Sequence, residues 1–317
     1  MRQILPAKFS MACQISRFTP PLIAQSIRAF LYPRSRAYSD NFEHLCKAIT
    51  GSKFLASTSD FHGYPFAVHG YHQWRHWAIA NAVCKRGDTI LEVGANIGTE
   101  TVGFRDIVGE CGRVVAIEPL PSNCERLSKL VVLNGWKNVS VFEMALGDTN
   151  GQTFFTTPQD THMSGVGFID PTATATHPGR IPVVCHTLDD LEPEVGAATA
   201  VFMDCEGAEA RILRAGRRYI RIHKPAIVLE AAPNHLRRAG SSLDEMFLLL
   251  SEAGYEVFRI GRFWLKRVEK PRTERNCNWL CIHRDHACLW RKCARQLLWC
   301  GLFPPATRMN PLSRLAR

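Results

Sequence analysis

The 317-residue sequence predicts an α/β protein with a doubly wound parallel sheet and helices on both faces. Across the middle of the chain, apolar stretches of strand length alternate with stretches of helix length, which is the order that a parallel sheet requires. Within residues 88–100, a strand containing Ile90, Leu91 and Val93 runs directly into a glycine-punctuated turn. This strand–turn unit is typical of folds that bind a nucleoside at the carboxyl edge of the sheet.

The turn after this strand favours a cationic ligand. Gly94 and Gly98 allow the backbone to turn tightly and to approach a bound molecule, and Thr99 can cap the following helix. Glu92, at the end of the strand, would repel the pyrophosphate that a dinucleotide-binding turn holds. S-adenosylmethionine (SAM) carries an ammonium and a sulfonium group and no phosphate, so it suits this turn. The predicted SAM-binding residues here are Glu92, Gly94, Ala95, Asn96 and Gly98.

A second acidic strand end follows twenty positions after Gly98. Residues 112–119 form the next predicted strand and end at Glu118 and Pro119. A carboxylate at this place can accept hydrogen bonds from both ribose hydroxyls. In the alternative interpretation Glu92 and Glu118 only cap helices, but two carboxylates at successive strand ends beside a glycine turn favour a shared ligand.

A third acidic cluster follows the predicted strand 200–204, in the segment Asp204-Cys-Glu206-Gly-Ala-Glu209. Asp204 is the first catalytic candidate, because it stands at the carboxyl end of a predicted parallel strand, where open α/β proteins bind ligands, and a carboxylate there can remove a proton or place a reacting group. A role as helix cap accounts for Glu209. Glu206, on the turn behind Asp204, is a further catalytic candidate, and Glu230, at the end of a later strand, could orient the acceptor or act as base. Clustered carboxylates also permit a divalent metal, although the sequence assigns no residue to one.

Five motifs in this chain resemble the FkbM family of methyltransferases. They are Glu-Val-Gly-Ala-Asn-Ile-Gly at 92–98, Ile-Glu-Pro at 117–119, Ala-Leu-Gly-Asp at 145–148, Thr-Leu-Asp-Asp-Leu at 187–191 and Met-Asp-Cys-Glu-Gly-Ala-Glu at 203–209. The resemblance covers about residues 70–260. It implies a Rossmann-like class I methyltransferase sheet, SAM as cofactor and O-methylation of a saccharide, glycolipid or natural-product hydroxyl. It also implies that Met144 and Ala145 line the adenine, mainly through their backbone.

Other classes of function stay open. An NAD-dependent oxidoreductase would need a neutral residue at Glu92 and a third glycine in the turn, so the sequence disfavours it. A non-enzymatic binding or scaffold protein of this fold would usually lose Glu118 or the Asp204 cluster. A nucleic-acid methyltransferase is a further alternative, but the predicted catalytic domain has no basic stripe interleaved with aromatic residues, so no nucleic-acid partner is expected.

The net charge of +10 resides at the end of the sequence. Residues 261–317 hold thirteen Lys or Arg and three acidic residues, which gives 13 − 3 = +10, and the preceding residues sum to zero. Apolar and basic side chains within 285–303 recur on different faces of a predicted helix. Such a helix can bind an anionic membrane surface, or it can pack on the domain with its basic face in water.

These patterns divide the chain into a basic N-terminal extension and lid (1–65), a class I methyltransferase domain (66–283) and a basic C-terminal tail (284–317). Residues 52–75 are expected to form a strand-rich lid. Residues 150–186 are expected to form a hairpin over the site, in which His162 is a weak catalytic candidate. The oligomeric state is not predicted.

The twelve cysteines are scattered singly, as in proteins of a reducing compartment. Six Cys and His residues between 277 and 293 raise the question of zinc, but they contain no C-x-x-C pair and overlap a predicted strand, so no zinc site is assigned. No apolar run is long enough to cross a bilayer, and no signal peptide is recognisable. We therefore expect a cytoplasmic protein, either free or attached peripherally to the inner face of the membrane.

Overall fold

The computed structural model describes residues 5–157, 167–169, 179–272 and 275–316. The helices are α1 (Ala7–Arg17), α2 (Pro21–Leu31), α3 (Arg34–Asp40), α4 (Gly63–His69), α5 (Trp74–Val83), α6 (Thr101–Val108), α7 (Pro121–Asn134), α8 (Glu192–Val195), α9 (Glu209–Ala215), α10 (Arg217–His223), α11 (Pro233–Arg238), α12 (Leu243–Glu252) and α13 (Leu289–Leu302). The strands are β1 (Glu43–Lys47), β2 (Lys53–Ser57), β3 (Thr89–Val93), β4 (Arg113–Glu118), β5 (Val139–Glu143), β6 (Ala145–Leu146), β7 (Gly151–Thr156), β8 (Phe168–Ile169), β9 (Arg180–His186), β10 (Ala200–Met203), β11 (Ala226–Ala231), β12 (Tyr255–Ile260), β13 (Leu265–Arg267) and β14 (Cys277–His283).

The central sheet has eight strands in the order β13-β12-β14-β11-β10-β3-β4-β5. The strands from β11 to β5 are parallel, and β14 lies antiparallel between β11 and β12. The chain winds outward from β3 to β5 and then returns to β10 and β11 on the other side of β3, so the winding direction reverses between β3 and β10. This arrangement confirms the predicted doubly wound sheet and places a ligand crevice at the carboxyl ends of these two strands.

Two hydrophobic clusters cover the two faces of the sheet. In β3, Ile90 joins one cluster, while Leu91 and Val93 join the other. In β10, Phe202 joins the cluster of Ile90, and Met203 joins the cluster of Leu91 and Val93. Because helices bury both faces, the inner strands are apolar throughout, which is the pattern that identified them in the sequence.

The first forty residues contribute to the main core. Helices α1 and α3 and the residue after α2 carry four fully buried side chains into the same hydrophobic cluster as α5 and α6: Phe9, Ala12, Tyr32 and Ala37. The Tyr32 hydroxyl donates a hydrogen bond to Asp40 at 2.8 Å. The packing therefore joins these helices to the domain through buried side chains.

The expected strand-rich lid at 52–75 contains more helix than strand, so that prediction is wrong for most of the segment. Only β2 is a strand, and α4 follows it. Asp60 Oδ1 starts the helix by accepting hydrogen bonds from the backbone N–H groups of His62 (3.0 Å) and Gly63 (2.7 Å). Gly70, with a φ of +75°, ends it. All residues of α4 are buried, so the segment has no amphipathic period from which a helix can be recognised.

The predicted hairpin is present among the residues that the structure describes. Strands β7 and β9 pair antiparallel from Gly151 opposite Cys185 to Thr156 opposite Arg180, within a four-stranded sheet of order β6-β9-β7-β8. His162, the weak catalytic candidate, lies outside the described residues.

Helix α13 packs against α5. Cys293, Leu297 and Cys300 are fully buried there, whereas the basic side chains at 291, 292 and 295 are exposed. All twelve cysteines are free thiols. Within the described ranges, none of the helices combines the length and the apolar character needed to span a membrane.

We predict that Gly94→Ala destabilises the fold where β3 and β10 end. Gly94 has a φ of +83°, and a Cβ there would lie 2.1 Å from the Asp204 carbonyl oxygen. Gly135 is a matched control, since its φ is +64° but nothing lies within 4 Å of its added Cβ. Denaturant unfolding should show a loss of about 1 kcal/mol for Gly135→Ala and about 2–4 kcal/mol for Gly94→Ala. Equal losses would mean that the close approach to Asp204 is unimportant.

Candidate active site

A cavity of about 410 Å³ lies at the carboxyl ends of the parallel strands. Its wall includes nearly all residues predicted from the sequence: Glu92, Gly94, Ala95, Asn96, Glu118, Pro119, Met144, Ala145, Asp204, Glu206 and Glu230. Gly98 is the exception, because it lies behind the wall, where an added Cβ would approach Leu127 and Leu130 at 2.6 and 2.7 Å. The structure thus gathers residues of four separate sequence motifs around one cavity.

Glu92 is buried at the base of the glycine turn, with 4% of its surface exposed. Its Oε2 accepts a hydrogen bond from the Thr101 hydroxyl at 2.7 Å. Burial raises the pKa of Glu92 well above its usual range, and this hydroxyl offsets part of the effect. The expectation that Thr99 caps the helix is wrong, because α6 begins at Thr101 without any side-chain cap and Thr99 is itself buried.

Glu118 is held in one orientation by three donors. Its Oε2 accepts from the Asn96 backbone N–H at 2.8 Å, and its Oε1 accepts from the Leu120 N–H at 3.0 Å and the Asn123 amide at 3.3 Å. Asn96 has a φ of +50°, a left-handed conformation within the turn that carries this N–H. Burial raises the pKa of Glu118 to about 7, while the three donors act in the opposite direction.

The turn after β10 is stabilised by Glu209. Its two carboxylate oxygens accept hydrogen bonds from the backbone N–H groups of Cys205 at 2.8 Å and Gly207 at 3.0 Å. Glu209 therefore has a structural role in the first turn of α9, but it holds the preceding turn and does not cap the helix as expected, since α9 has no side-chain cap. The same turn leaves Asp204 exposed to the cavity, next to the backbone of Gly94.

Six carboxylates line the cavity, and among the lining residues that the structure describes there is no lysine or arginine. The six are Glu92, Glu100, Glu118, Asp204, Glu206 and Glu230. Loss of surrounding water is the main cause that raises the pKa of each one, by burial of the side chain or, for Asp204, by enclosure within the cavity. The pKa reaches about 7 for Asp204, where the charge of Glu230 adds to the effect, and about 8 for Glu100 and Glu206. Such a wall attracts cations and disfavours phosphate.

Four titratable residues, Glu100, His62, His72 and His235, are among the cavity-wall residues that were not selected from the sequence. Glu100 Oε1 accepts from the Gln73 N–H at 3.0 Å, and His72 Nδ1 lies 3.7 Å from the same oxygen. His62 Nδ1 lies 3.0 Å from the Asn96 amide nitrogen. Burial lowers the pKa of His62 to about 3 and that of His72 to about 4, so both imidazoles are neutral at pH 7.

The fourth such residue is His235, in the first turn of α11. Its Nδ1 lies 2.9 Å from Glu206 Oε2 and 3.2 Å from Glu230 Oε2. Only a proline at the start of α11 marks this segment in the sequence, and it gives no reason to select the histidine. Over the described residues, His235 and these two glutamates form the one group of three or more potential metal ligands, so the Cys and His residues of 277–293 do not converge on a zinc site.

Comparison with known proteins gives one family match that covers just over half of the chain. The model of the methyltransferase FkbM domain matches residues 92–257. A curated relative, protein-L-isoaspartate O-methyltransferase 2 of Archaeoglobus fulgidus, is 37% identical over 57 residues, which cover 18% of this chain and 26% of that protein. The chain therefore spans only about a quarter of this relative.

Two solved structures are among the similar folds. The FkbM methyltransferase of Methylobacillus flagellatus is 17% identical, with 86% of this chain and 58% of that chain covered and a TM-score of 0.42. An SAM-dependent O-methyltransferase of Thermotoga maritima is 12% identical, with 67% and 65% covered and a TM-score of 0.38. By the family model, and in agreement with the motifs of its sequence, the chain belongs to the FkbM methyltransferase family.

Proposed function

We propose that the protein transfers the methyl group of SAM to a hydroxyl of a saccharide, glycolipid or natural-product acceptor. The observation that carries this proposal is the cavity wall of six carboxylates without a lysine or arginine among the described lining residues. The ammonium and sulfonium groups of SAM suit such a wall, whereas the pyrophosphate of NAD does not. Membership of the FkbM family supports the same choice of cofactor.

The positions of the wall residues support separate roles in cofactor binding. Glu118, fixed by its three donors, is the proposed ligand of the ribose hydroxyls. Glu92 and Glu100 supply negative charge near the glycine turn. The Met144 N–H donates to the Glu118 carbonyl at 3.2 Å, so contacts of Met144 with the adenine would use its side chain and carbonyl oxygen.

Asp204 is the proposed general base. It is exposed to the cavity beside the glycine turn, and its pKa of about 7 lets it accept a proton near neutral pH. In the reaction the acceptor oxygen forms a bond to the methyl carbon, the carbon–sulfur bond breaks, and its electron pair stays on the sulfur. The hydroxyl proton passes to the Asp204 carboxylate. Glu206 and Glu230 would orient the acceptor on the same side of the cavity.

We predict that Glu118→Ala weakens SAM binding by about 1.5–3 kcal/mol, because a charge-assisted pair of hydrogen bonds to the ribose is lost. Isothermal titration calorimetry measures this difference. Glu143→Ala is the matched control, since Glu143 lies directly opposite Glu118 on β5 but is exposed and does not line the cavity. Equal affinities for the two variants would remove Glu118 from the ribose site.

SAM affinity should rise with pH between 5.5 and 7. Glu118 has a pKa of about 7 without ligand, and only its ionised form can accept from both ribose hydroxyls. Below that pKa the protein must therefore lose a proton in order to bind, which weakens binding by up to about tenfold per pH unit. Calorimetry in buffers of different ionisation enthalpy should show that protons are released on binding. The ammonium group of the ligand titrates above this pH range, so it does not contribute to the proton release. Proton uptake would contradict the proposal.

We predict that Asp204→Asn keeps SAM affinity within about threefold and lowers turnover by about 100-fold or more, as expected for loss of a general base. Transfer of labelled methyl groups to a panel of glycans, glycolipids and natural products measures turnover once the wild type has identified an acceptor. Asp148→Asn is the control, because Asp148 pairs with Arg211 and does not line the cavity. Full activity of Asp204→Asn would exclude it as the base.

A peripheral membrane contact through α13 is part of the proposal. The helix exposes Arg291, Lys292 and Arg295, and Trp299 near its end is 43% exposed. Basic side chains beside an exposed tryptophan suit the surface of an anionic membrane. Such a contact would bring the cavity close to a lipid-linked acceptor.

We predict that Arg291→Glu, Lys292→Glu and Arg295→Glu together abolish sedimentation with vesicles of phosphatidylserine and phosphatidylcholine. Charge reversal is preferable to truncation, because deletion of residues 285–317 would remove the buried face of α13 from the core. SAM affinity should not change.

The control variant is Lys137→Glu, Arg217→Glu and Arg221→Glu, which changes the net charge by the same amount. These three residues are exposed and lie outside α13. It should bind vesicles almost as well as the wild type. If both triple variants lose vesicle binding equally, the contact depends on net charge rather than on α13.

A further inference from the structure

Three potential metal ligands from three segments converge on one side of the cavity. Glu206 lies in the turn after β10, Glu230 in β11 and His235 in α11. Their ligand atoms lie within 4.8 Å of one another, and all three residues line the cavity. Asp204, the proposed base, lines the same cavity two residues before Glu206.

Hydrogen bonds within this group leave some of its polar atoms without a partner. A single imidazole N–H cannot donate to two carboxylates at once, although Nδ1 lies 2.9 Å from Glu206 and 3.2 Å from Glu230. Glu206 Oε2 is buried and accepts no hydrogen bond, and the guanidinium of Arg238 is 3.9 Å from it.

The distances match those between neighbouring ligands of one metal ion. Ligands about 2.1 Å from an octahedral ion and at right angles to each other are about 3.0 Å apart. The two measured distances from His235 Nδ1 lie on either side of that value. Asn276 donates to the other oxygen of Glu230 at 3.4 Å, in the manner of an outer hydrogen bond that orients a ligand.

We propose that Glu206, Glu230 and His235 bind a divalent transition-metal ion that holds the acceptor hydroxyl, an inference that rests on the proposed transfer to a hydroxyl. Two carboxylates and one imidazole favour manganese, iron or zinc over calcium. Three protein ligands leave coordination positions for the acceptor oxygen and for water.

The ion supplies charge and does not change oxidation state. It lowers the pKa of the bound hydroxyl, so that the proton passes more readily to Asp204. The freed oxygen pair forms the bond to the methyl carbon, and the carbon–sulfur pair stays on sulfur. Two hydroxyls on adjacent carbons could chelate the ion, so sugars and other vicinal diols are the acceptor class that this site fits best.

The test is titration of the full-length, chelator-stripped protein with manganese. Binding is measured as the loss of the free-ion signal in electron paramagnetic resonance, and zinc is then added as a competitor. The wild type should bind one manganese ion per chain. Glu206→Gln and Glu230→Gln should each weaken binding by about 10-fold to 100-fold, as expected when one charged ligand is lost. His223→Ala is the matched control, because His223 pairs with Glu192 at 2.7 Å away from the cavity.

Two results would overturn the metal site: absence of both manganese and zinc binding by the wild type, or equal affinity in Glu230→Gln. Thermal unfolding of every variant separates ligand loss from misfolding, and Glu230→Asp, which keeps the carboxylate, should retain part of the affinity. Calorimetry with SAM on the same samples separates the two proposals. SAM binding without metal binding removes only the metal site, whereas failure of SAM to bind removes the proposed function.

Discussion

The contact between Gly94 and the backbone of Asp204 is the constraint on which the cavity depends. The Asp204 N–H donates to the Val93 carbonyl at 3.1 Å, and the Asp204 carbonyl lies where a side chain at Gly94 would have to be. This contact lies between β3 and β10, where the winding of the sheet reverses. The proposed cofactor turn and the proposed catalytic turn therefore come from distant parts of the chain and share one wall.

The carboxylates on this wall lower the free energy of unfolding of the protein when no ligand is bound. Burial raises their pKa values, so the folded state binds more protons than the unfolded chain between about pH 4.5 and 8. Their contribution to the free energy of unfolding consequently falls as pH rises through this range. A cation bound among them lowers the same pKa values and offsets the loss. Stability and ligand binding are thus coupled through the same side chains.

The sequence predicts those parts of the site that lie close to a strand end. Glu118 and Asp204 could be identified because each directly follows an apolar strand, and parallel strands end at one edge of the sheet. His235 and His62 could not, since neither has a local motif and each reaches the cavity only through the packing of α11 or α4. Helix α4 was missed for a related reason: it is buried on every side and has no polar face. Thr99 was misassigned because α6 begins two residues later, at Thr101, and has no side-chain cap.

A wall without lysine or arginine among its described residues also distinguishes the two forms of a sulfonium cofactor. Before transfer the sulfur carries a positive charge that the carboxylates attract, and after transfer it is a neutral sulfide. The attraction therefore weakens at the moment when the cofactor is spent, although its shape has hardly changed. We expect the loss of this charge to favour release of the used molecule and entry of a fresh one.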